Sequence, residues 1–441
     1  MNQSTRTCDI LLRDVRYLDA SMNIQEAACL VIDAGKIVHV GECEGWQSKH
    51  QLKGRGFLWM PGFVDGHTHT SQQLLRGRLL DEKPVIWKRI NVPFESQLNE
   101  RSSKLSAELC ALEMMRSGTT GFIDAGGKYV ETFASVYAEA GLRGRLSYMT
   151  NDNPMMPESL RVNVEEGLKR QVRLHQNLVA SGGILEAVFS VTALTAASEA
   201  MIRTIFGYAK DHGIATEVHM NEYASEVYDF IEQYGCRPFE WMEQENLIGE
   251  RFTAAHGIFL SPEEIDIIVD KKVRVMHCPF SNCGKGIPQT PYLLNRGAYV
   301  GFGTDGSAHG GVDLFREMRL FRGIMNAKHA VETGNPQVLP AETILKMATQ
   351  GGAKGLDVPH LGVLEQGAPA DMIAIKTDSP HLFPTQNLIH SLVESASGQD
   401  VHHMIVNGEI LMKNREIITL DEEQILHDAQ AFVESGDFYW S

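Results

Sequence analysis

The sequence predicts an α/β protein built as a (β/α)8 barrel of the TIM type, with a small β-sandwich domain assembled from both chain termini. Three observations carry that reading. Eight short apolar runs in the middle of the chain each give way to a stretch of helical spacing. The two ends instead alternate apolar and polar residues around turn-forming glycines. A length of 441 residues, with 43% hydrophobic and 22% charged side chains, supplies core for more than one structural unit.

At the N-terminus, DILLRDVRYLD and AACLVIDAGKIVHVGE read as strands, with Gly35 at a hairpin turn. At the C-terminus, LGVLEQGAPADMIAIKT and HHMIVNGEILMKN have the same texture, and Asn407-Gly408 is a favoured two-residue hairpin turn. The sandwich is therefore assigned to residues 1–58 and 362–441 and the barrel to 59–361. The barrel runs are FLWMPGFVDGH, TTGFIDAG, RGRLSYMT, GILEAVFSVTA, IATEVHM, FTAAHG, VRVMHCP and AYVGFGTDG. Helix candidates lie between them, among them SSKLSAELCALEMMRSG and ASEAMIRTIFGYAKDHG. A third, SPEEIDIIVDKK, opens with Ser261 as N-cap and Pro262 at the first helical position.

A formal net charge of −16 disfavours nucleic acid and anionic lipid as partners and fits a small-molecule substrate. No apolar run reaches the ~20 residues that span a bilayer. The N-terminal segment interrupts its apolar residues with Asp9, Arg13, Asp14 and Arg16, unlike a signal peptide. The seven cysteines show no zinc-ribbon spacing and read as reduced cytoplasmic thiols.

Catalytic residues of such a barrel sit where strands run into the following loops. Those ends carry His67 and His69 (first strand), His219 (fifth), His256 (sixth) and Asp305 (eighth). Residues i and i+2 of a strand share a face, so His67 and His69 can both point to the axis. Neutral imidazole and carboxylate are the donors a borderline divalent cation takes. One histidine at a strand end is ordinarily just a hydrogen-bonded residue; the coincidence at four ends changes that reading. Glu222, three residues beyond His219, supplies an acid–base group beside such a site. The segment Gly301-Phe302-Gly303-Thr304-Asp305-Gly306 fits a dinucleotide-binding spacing, but it lies late in the chain without the required acidic second strand. It reads better as a tight turn presenting Asp305.

MPGFVDGHTH (60–69), VHMNE (218–222), AAHG (254–257) and GFGTDG (301–306) together resemble the strand-end motifs of the amidohydrolase superfamily. LLRG (74–77), the SN of PFSN (281–282) and LFREMRL (314–320) resemble its branch of S-adenosylhomocysteine/5′-methylthioadenosine deaminases, guanine-type deaminases and triazine hydrolases. The resemblance covers nearly the whole chain. It implies one divalent metal ion, zinc first and iron(II) or manganese(II) compatible, held by His67, His69, His219 and Asp305. The fourth strand ends in SVTALTA without a bridging lysine, which implies a single ion. His256 is then a hydrogen-bonding group beside the attacking water, and Asp305 helps take that water's proton. Glu222 delivers a proton to the ring nitrogen, and ammonia leaves. A homo-oligomer, dimer or larger, is also implied.

Substrate contacts are expected from Glu95, which matches a ribose-binding position of the branch, from Trp87 as a stacking ring, and from Gln73, Thr192 and His309. Thr192 and Tyr148 stand where nucleoside deaminases of the branch carry a histidine and an arginine, and SAHGGVD replaces the usual loop after Asp305. The function expected is deamination of a purine, adenosine derivative or related N-heterocycle. Loss of chloride, thiol or alkylamine from a triazine-, pterin- or imidazole-like ring is the alternative. A non-catalytic scaffold would be missing ligands, and none is missing.

Overall fold

The computed structural model describes residues 6–79, 81–83 and 85–435, so the outermost residues given to the sandwich, 1–5 and 436–441, lie outside the described residues. The N-terminal strands are β1 (Arg6–Leu18), β2 (Ile24–Asp33), β3 (Lys36–Gly41), β4 (Trp46–Lys53) and β5 (Phe57–Pro61). The central strands are β6 (Phe63–Thr68), β7 (Thr119–Asp124), β8 (Arg143–Leu146), β9 (Leu185–Ala187), β10 (Phe189–Ser190), β11 (Thr216–Met220), β12 (Phe252–His256), β13 (Arg274–His277) and β14 (Tyr299–Phe302). The C-terminal strands are β15 (Met372–Lys376), β16 (Val401–Val406), β17 (Glu409–Lys413) and β18 (Glu416–Ile417).

Both termini build one nine-stranded sheet in the order β18-β17-β16-β15-β5-β1-β2-β3, with β4 also paired to β1. Strand β1 forks. Its residues Arg6–Arg13 pair with β4, whereas Arg16 and Tyr17 pair with β5. Asp14, between those stretches, adopts a left-handed φ of 54°. Alternation puts Ile10, Leu12, Trp59, Met372, Ala374 and Ile405 into one buried cluster, so the two ends share a core. The hairpin turn between β16 and β17 has φ of 49° at Asn407 and 79° at Gly408, as a primed two-residue turn requires.

The central strands pair in parallel as β6-β7-β8-β9 and β10-β11-β12-β13-β14. Two apolar runs that read as single strands are divided. FLWMPGFVDGH becomes β5 in the terminal sheet and β6 in the central one, hinged at Gly62. A Cβ there would sit 2.1 Å from the Thr120 side chain. GILEAVFSVTA becomes β9 and β10, one in each parallel sheet, linked across Val188, whose N–H donates to Leu146. At the opposite margin the N–H groups of Thr304 and Asp305 donate to the His67 carbonyl, joining the end of β14 to β6.

Helices cover the outer face. The helix Glu100–Ser117 starts at an Asn99 capping box, and Pro262–Asp270 starts at a Ser261 capping box with Pro262 in its first turn. The C-terminal segment adds helices of its own: Leu388–Glu394 packs on Leu314–Met325, and Glu422–Glu434 packs on Glu100–Ser117. Arg143 of β8 binds Asp371 through Nε at 2.6 Å and Nη2 at 3.1 Å, a buried bidentate pair tying the terminal sheet to the central one.

Candidate metal centre and active site

Strand alternation and abrupt strand ends aim the functional side chains. His67 lies within β6 and His69 one residue past it, so both imidazoles leave on the same side. Glu217 and His219 repeat this spacing in β11. His256 ends β12 with a φ of 69° and Asp305 follows β14 with a φ of 59°. Such left-handed conformations are sparse for residues with a Cβ and turn these side chains inward. The glycine-rich turn permits the approach: a Cβ on Gly303 would sit 2.7 Å from the His67 carbonyl oxygen and 2.8 Å from the His67 Cβ. Those glycines serve close packing around Asp305.

His67, His69, His219, His256 and Asp305 converge. His67 Nε2 and His69 Nε2 each lie 3.2 Å from Asp305 Oδ1, and His69 Nε2 lies 3.2 Å from His219 Nε2. Ligand atoms of His67, His219, His256 and Asp305 all fall within 4.8 Å of one another. The donor set of imidazole nitrogens and a carboxylate oxygen suits zinc, with iron or manganese compatible. A further sign of fit is that His256 Nε2 is buried without a hydrogen-bond partner. An orphaned buried lone pair is costly unless something takes it up.

Burial, reinforced by the facing His67 and His69 rings, holds His219 well below the usual histidine range. Burial likewise pushes His256 down to about 4. His67 moves the other way, up to about 10: burial opposes its charge, but Glu217 and Asp305 outweigh burial. Burial also disfavours charge on Asp305, yet His309, His256 and hydrogen bonds from His67 and His69 hold it well below the carboxylate range. Glu222 Oε1 lies 3.7 Å from His256 Nε2 and 2.5 Å from Lys285 Nζ. These two partners overcome burial and keep its carboxyl below the usual range.

The pocket over this cluster is lined by His69, His219, Glu222, Asp305, His309, Glu95, Trp87 and Thr192, together with Gln72, Met149, Tyr223 and Lys285. Glu95 Oε1 accepts from Ser71 Oγ at 2.7 Å and from Gln72 Nε2 at 3.0 Å. The Trp87 indole donates to Glu226 at 3.3 Å, and His309 Nε2 lies 3.4 Å from Asp305 Oδ2. Thr192 Oγ1 accepts from Asn151 Nδ2 at 3.2 Å. Gln73 is placed elsewhere: its Oε1 accepts from Arg76 at 2.9 Å, and its neighbour Gln72 faces the pocket. The helical turn Thr70–Leu75 rotates consecutive side chains apart, which strand-like counting from His69 does not anticipate. Tyr148 packs into the main core, leaving Met149 at the pocket wall.

Two residues of consequence escaped sequence reasoning. Glu217, only 1% exposed, holds His67 Nδ1 at 2.5 Å and so leaves Nε2 facing inward. Its signal was the i, i+2 relation to His219. Lys285, beyond β13, reaches Glu222 and Ser281, and Ser281 Oγ donates to Asp305 Oδ2 at 2.5 Å. No strand periodicity marks a residue in such a loop.

Parallel strands interleaved with helices, and a histidine–aspartate cluster at the strand ends, define the class of metal-dependent hydrolases that act from a strand-end rim. The chain belongs to the amidohydrolase family, whose model matches residues 58–411. It is 35% identical over 415 residues to a 5-methylthioadenosine/S-adenosylhomocysteine deaminase of Thermococcus onnurineus, covering 93% of this chain and 90% of that one. It is 32% identical over 417 residues to a 5′-deoxyadenosine deaminase of Methanopyrus kandleri, covering 92% and 94%. In fold it is similar to a zinc-bound adenosine deaminase from Xanthomonas campestris, with a TM-score of 0.89, 24% identity and coverage of 98% and 99%. Among the described residues no helix is long and apolar enough to cross a membrane.

Proposed function

We propose that this chain is a metal-dependent aminohydrolase that deaminates an adenosine derivative or a related N-heterocycle. The observation that carries the reading is the placement of Glu222: it lines the same pocket as His69, His219 and Asp305 of the cluster, 3.7 Å from His256. Relatives named as 5′-deoxyadenosine and 5-methylthioadenosine/S-adenosylhomocysteine deaminases, at about a third identity over nearly the full length, support the substrate class.

His67, His69, His219 and Asp305 would hold one divalent ion, zinc first. When bound, that ion supplies acidified water, its pKa lowered from about 15.7 toward ~7. Asp305 would take one proton of the attacking water and return it to the departing amino group, and His256 Nε2 is free to hydrogen-bond beside that water. Glu222, ionised at rest, would take the other proton of that water and pass it to the adjacent ring nitrogen, making the carbon electrophilic, so that both protons of the water are placed when ammonia leaves. Glu95, Trp87, Thr192, His309 and Gln72 form the walls that orient the ring.

The same reading takes the eight parallel strand positions as a closed (β/α)8 barrel over 63–361, its start moved from residue 59 because β5 belongs to the terminal sheet. The forked terminal sheet is taken as a sandwich over 1–61 and 362–441, the division at 58 moved to the end of β5, in a cytoplasmic homo-oligomer with no nucleic-acid partner. The junctions at Val188 and Thr304 support closure of the barrel, and the split at Asp14 supports the sandwich. The test is ammonia release from 5′-deoxyadenosine, 5′-methylthioadenosine, S-adenosylhomocysteine, guanine and an aminopterin by zinc-loaded protein. Release from at least one supports deamination. Chloride or thiol release from substituted triazines, with no ammonia from any amine, would replace it with the other leaving group.

A further inference from the structure

Lys285 occupies an unusual place. Its side chain is 6% exposed, and it is the one cation among the described residues that line the pocket. Its Nζ lies 2.5 Å from Glu222 Oε1 and 2.5 Å from Ser281 Oγ, above the Tyr223 ring with 5.2 Å to the centroid. The other ion-pair partner of the Glu222 carboxylate among the described residues, His256, stands farther off at 3.7 Å. Ser281 Oγ accepts from Lys285 and donates a hydrogen bond to Asp305 Oδ2, 2.5 Å away. One ammonium thus links Glu222 and Asp305: it pairs closely with Glu222, and it reaches Asp305 both through the Ser281 hydroxyl and at 3.7 Å directly.

A glutamate on a loop has three side-chain torsions to fix, and a short contact to a charged donor is a strong way to fix the last of them. We propose that Lys285 is a positioning residue for proton transfer: it pins Glu222 Oε1 beside His256 and, through Ser281, sets its separation from Asp305. This rests on Glu222 being the proton carrier. Lys285 itself gives up no proton during turnover. Tyr223 covers its outer side, and the buried setting makes the loss of either partner costly. The pocket wall at this corner is therefore already neutralised. Lys285 is engaged with carboxylates of the protein and is not offered to an anionic group of the substrate.

The experiment uses the full-length, zinc-loaded enzyme with 5′-deoxyadenosine as probe, in the forms Lys285→Met, Lys285→Ala and Glu222→Gln. Lys285→Met is expected to keep zinc affinity and KM within about twofold and to lose kcat by roughly 10- to 100-fold, the cost of about 1 Å of misplacement. Added n-butylammonium is expected to restore part of the lost rate to Lys285→Ala, whereas tetramethylammonium, which cannot donate, is not. A crystal structure of Lys285→Met provides a readout independent of turnover and is expected to show Glu222 in another rotamer. An unmoved Glu222, a kcat equal to wild type, or a loss confined to zinc binding would overturn the proposal. Full turnover by Glu222→Gln would instead overturn the proton-carrier reading on which it rests. Should Lys285→Met fail to fold, Lys285→Gln carries the same crystallographic comparison.

Discussion

Replacing Glu217 tests whether the cluster is organised for a cation from behind. Its carboxylate, 1% exposed and 2.5 Å from His67 Nδ1, fixes which nitrogen of that ring faces Asp305. A charge-assisted hydrogen bond of this kind contributes about 1.5–3 kcal/mol, and a neutral substitute retains roughly half. Glu217→Gln should therefore weaken zinc binding by about 1–1.5 kcal/mol, close to tenfold. Glu217→Ala, which leaves no acceptor, should approach the upper end of the 10- to 100-fold range typical of residues behind metal-ligating histidines. Competition with a chromogenic chelator at fixed pH reads the ratio directly, and thermal unfolding of the zinc-free proteins separates it from global damage. Unchanged zinc affinity in both variants, with His67 still ordered, would refute the claim that Glu217 orients a ligand.

Glu222→Gln should keep its zinc and lose kcat by roughly 10²- to 10⁴-fold, measured by steady-state absorbance on 5′-deoxyadenosine. Gly303→Ala would press a methyl to within 2.7 Å of the His67 carbonyl, and chemical denaturation should show a loss of about 1–3 kcal/mol together with weaker zinc binding. Glu317 provides a pH test away from the metal cluster. Burial raises its carboxyl from 4.5 to about 8, while its Oε2 accepts the Phe280 N–H at 2.8 Å. The folded protein holds this proton more tightly than the unfolded chain, so the stabilisation is complete below about pH 4.5 and is lost as pH rises to about 8. Glu317→Gln should consequently gain stability relative to wild type between pH 5 and pH 8.5, on the order of 1–3 kcal/mol by denaturant titration, and parallel pH curves would contradict the assignment.

What could be read in advance was whatever depends on spacing within one element. His67 and His69 share a strand face, Ser261 and Pro262 open a helix, and Asn407-Gly408 closes a hairpin; each is a local rule that tertiary packing left intact. Relations between elements were not legible. The bond from Glu217 to His67 joins two strands 150 residues apart. Lys285 reaches Glu222 only because of how the loop after β13 folds back. The choice between Gln72 and Gln73 turns on a single helical turn directly after His69. An apolar run such as FLWMPGFVDGH carries no mark of where one sheet hands over to another. That handover is set at Gly62 by the side chain of Thr120, far along the chain.

Diffraction at the zinc absorption edge from zinc-soaked crystals bears most directly on the proposed centre. The account predicts a single anomalous peak about 2.0–2.2 Å from Nε2 of His67 and His69, from a ring nitrogen of His219 and from an Asp305 oxygen. A peak elsewhere, a second ion of equal height beside it, or no peak from protein that still releases ammonia would contradict it.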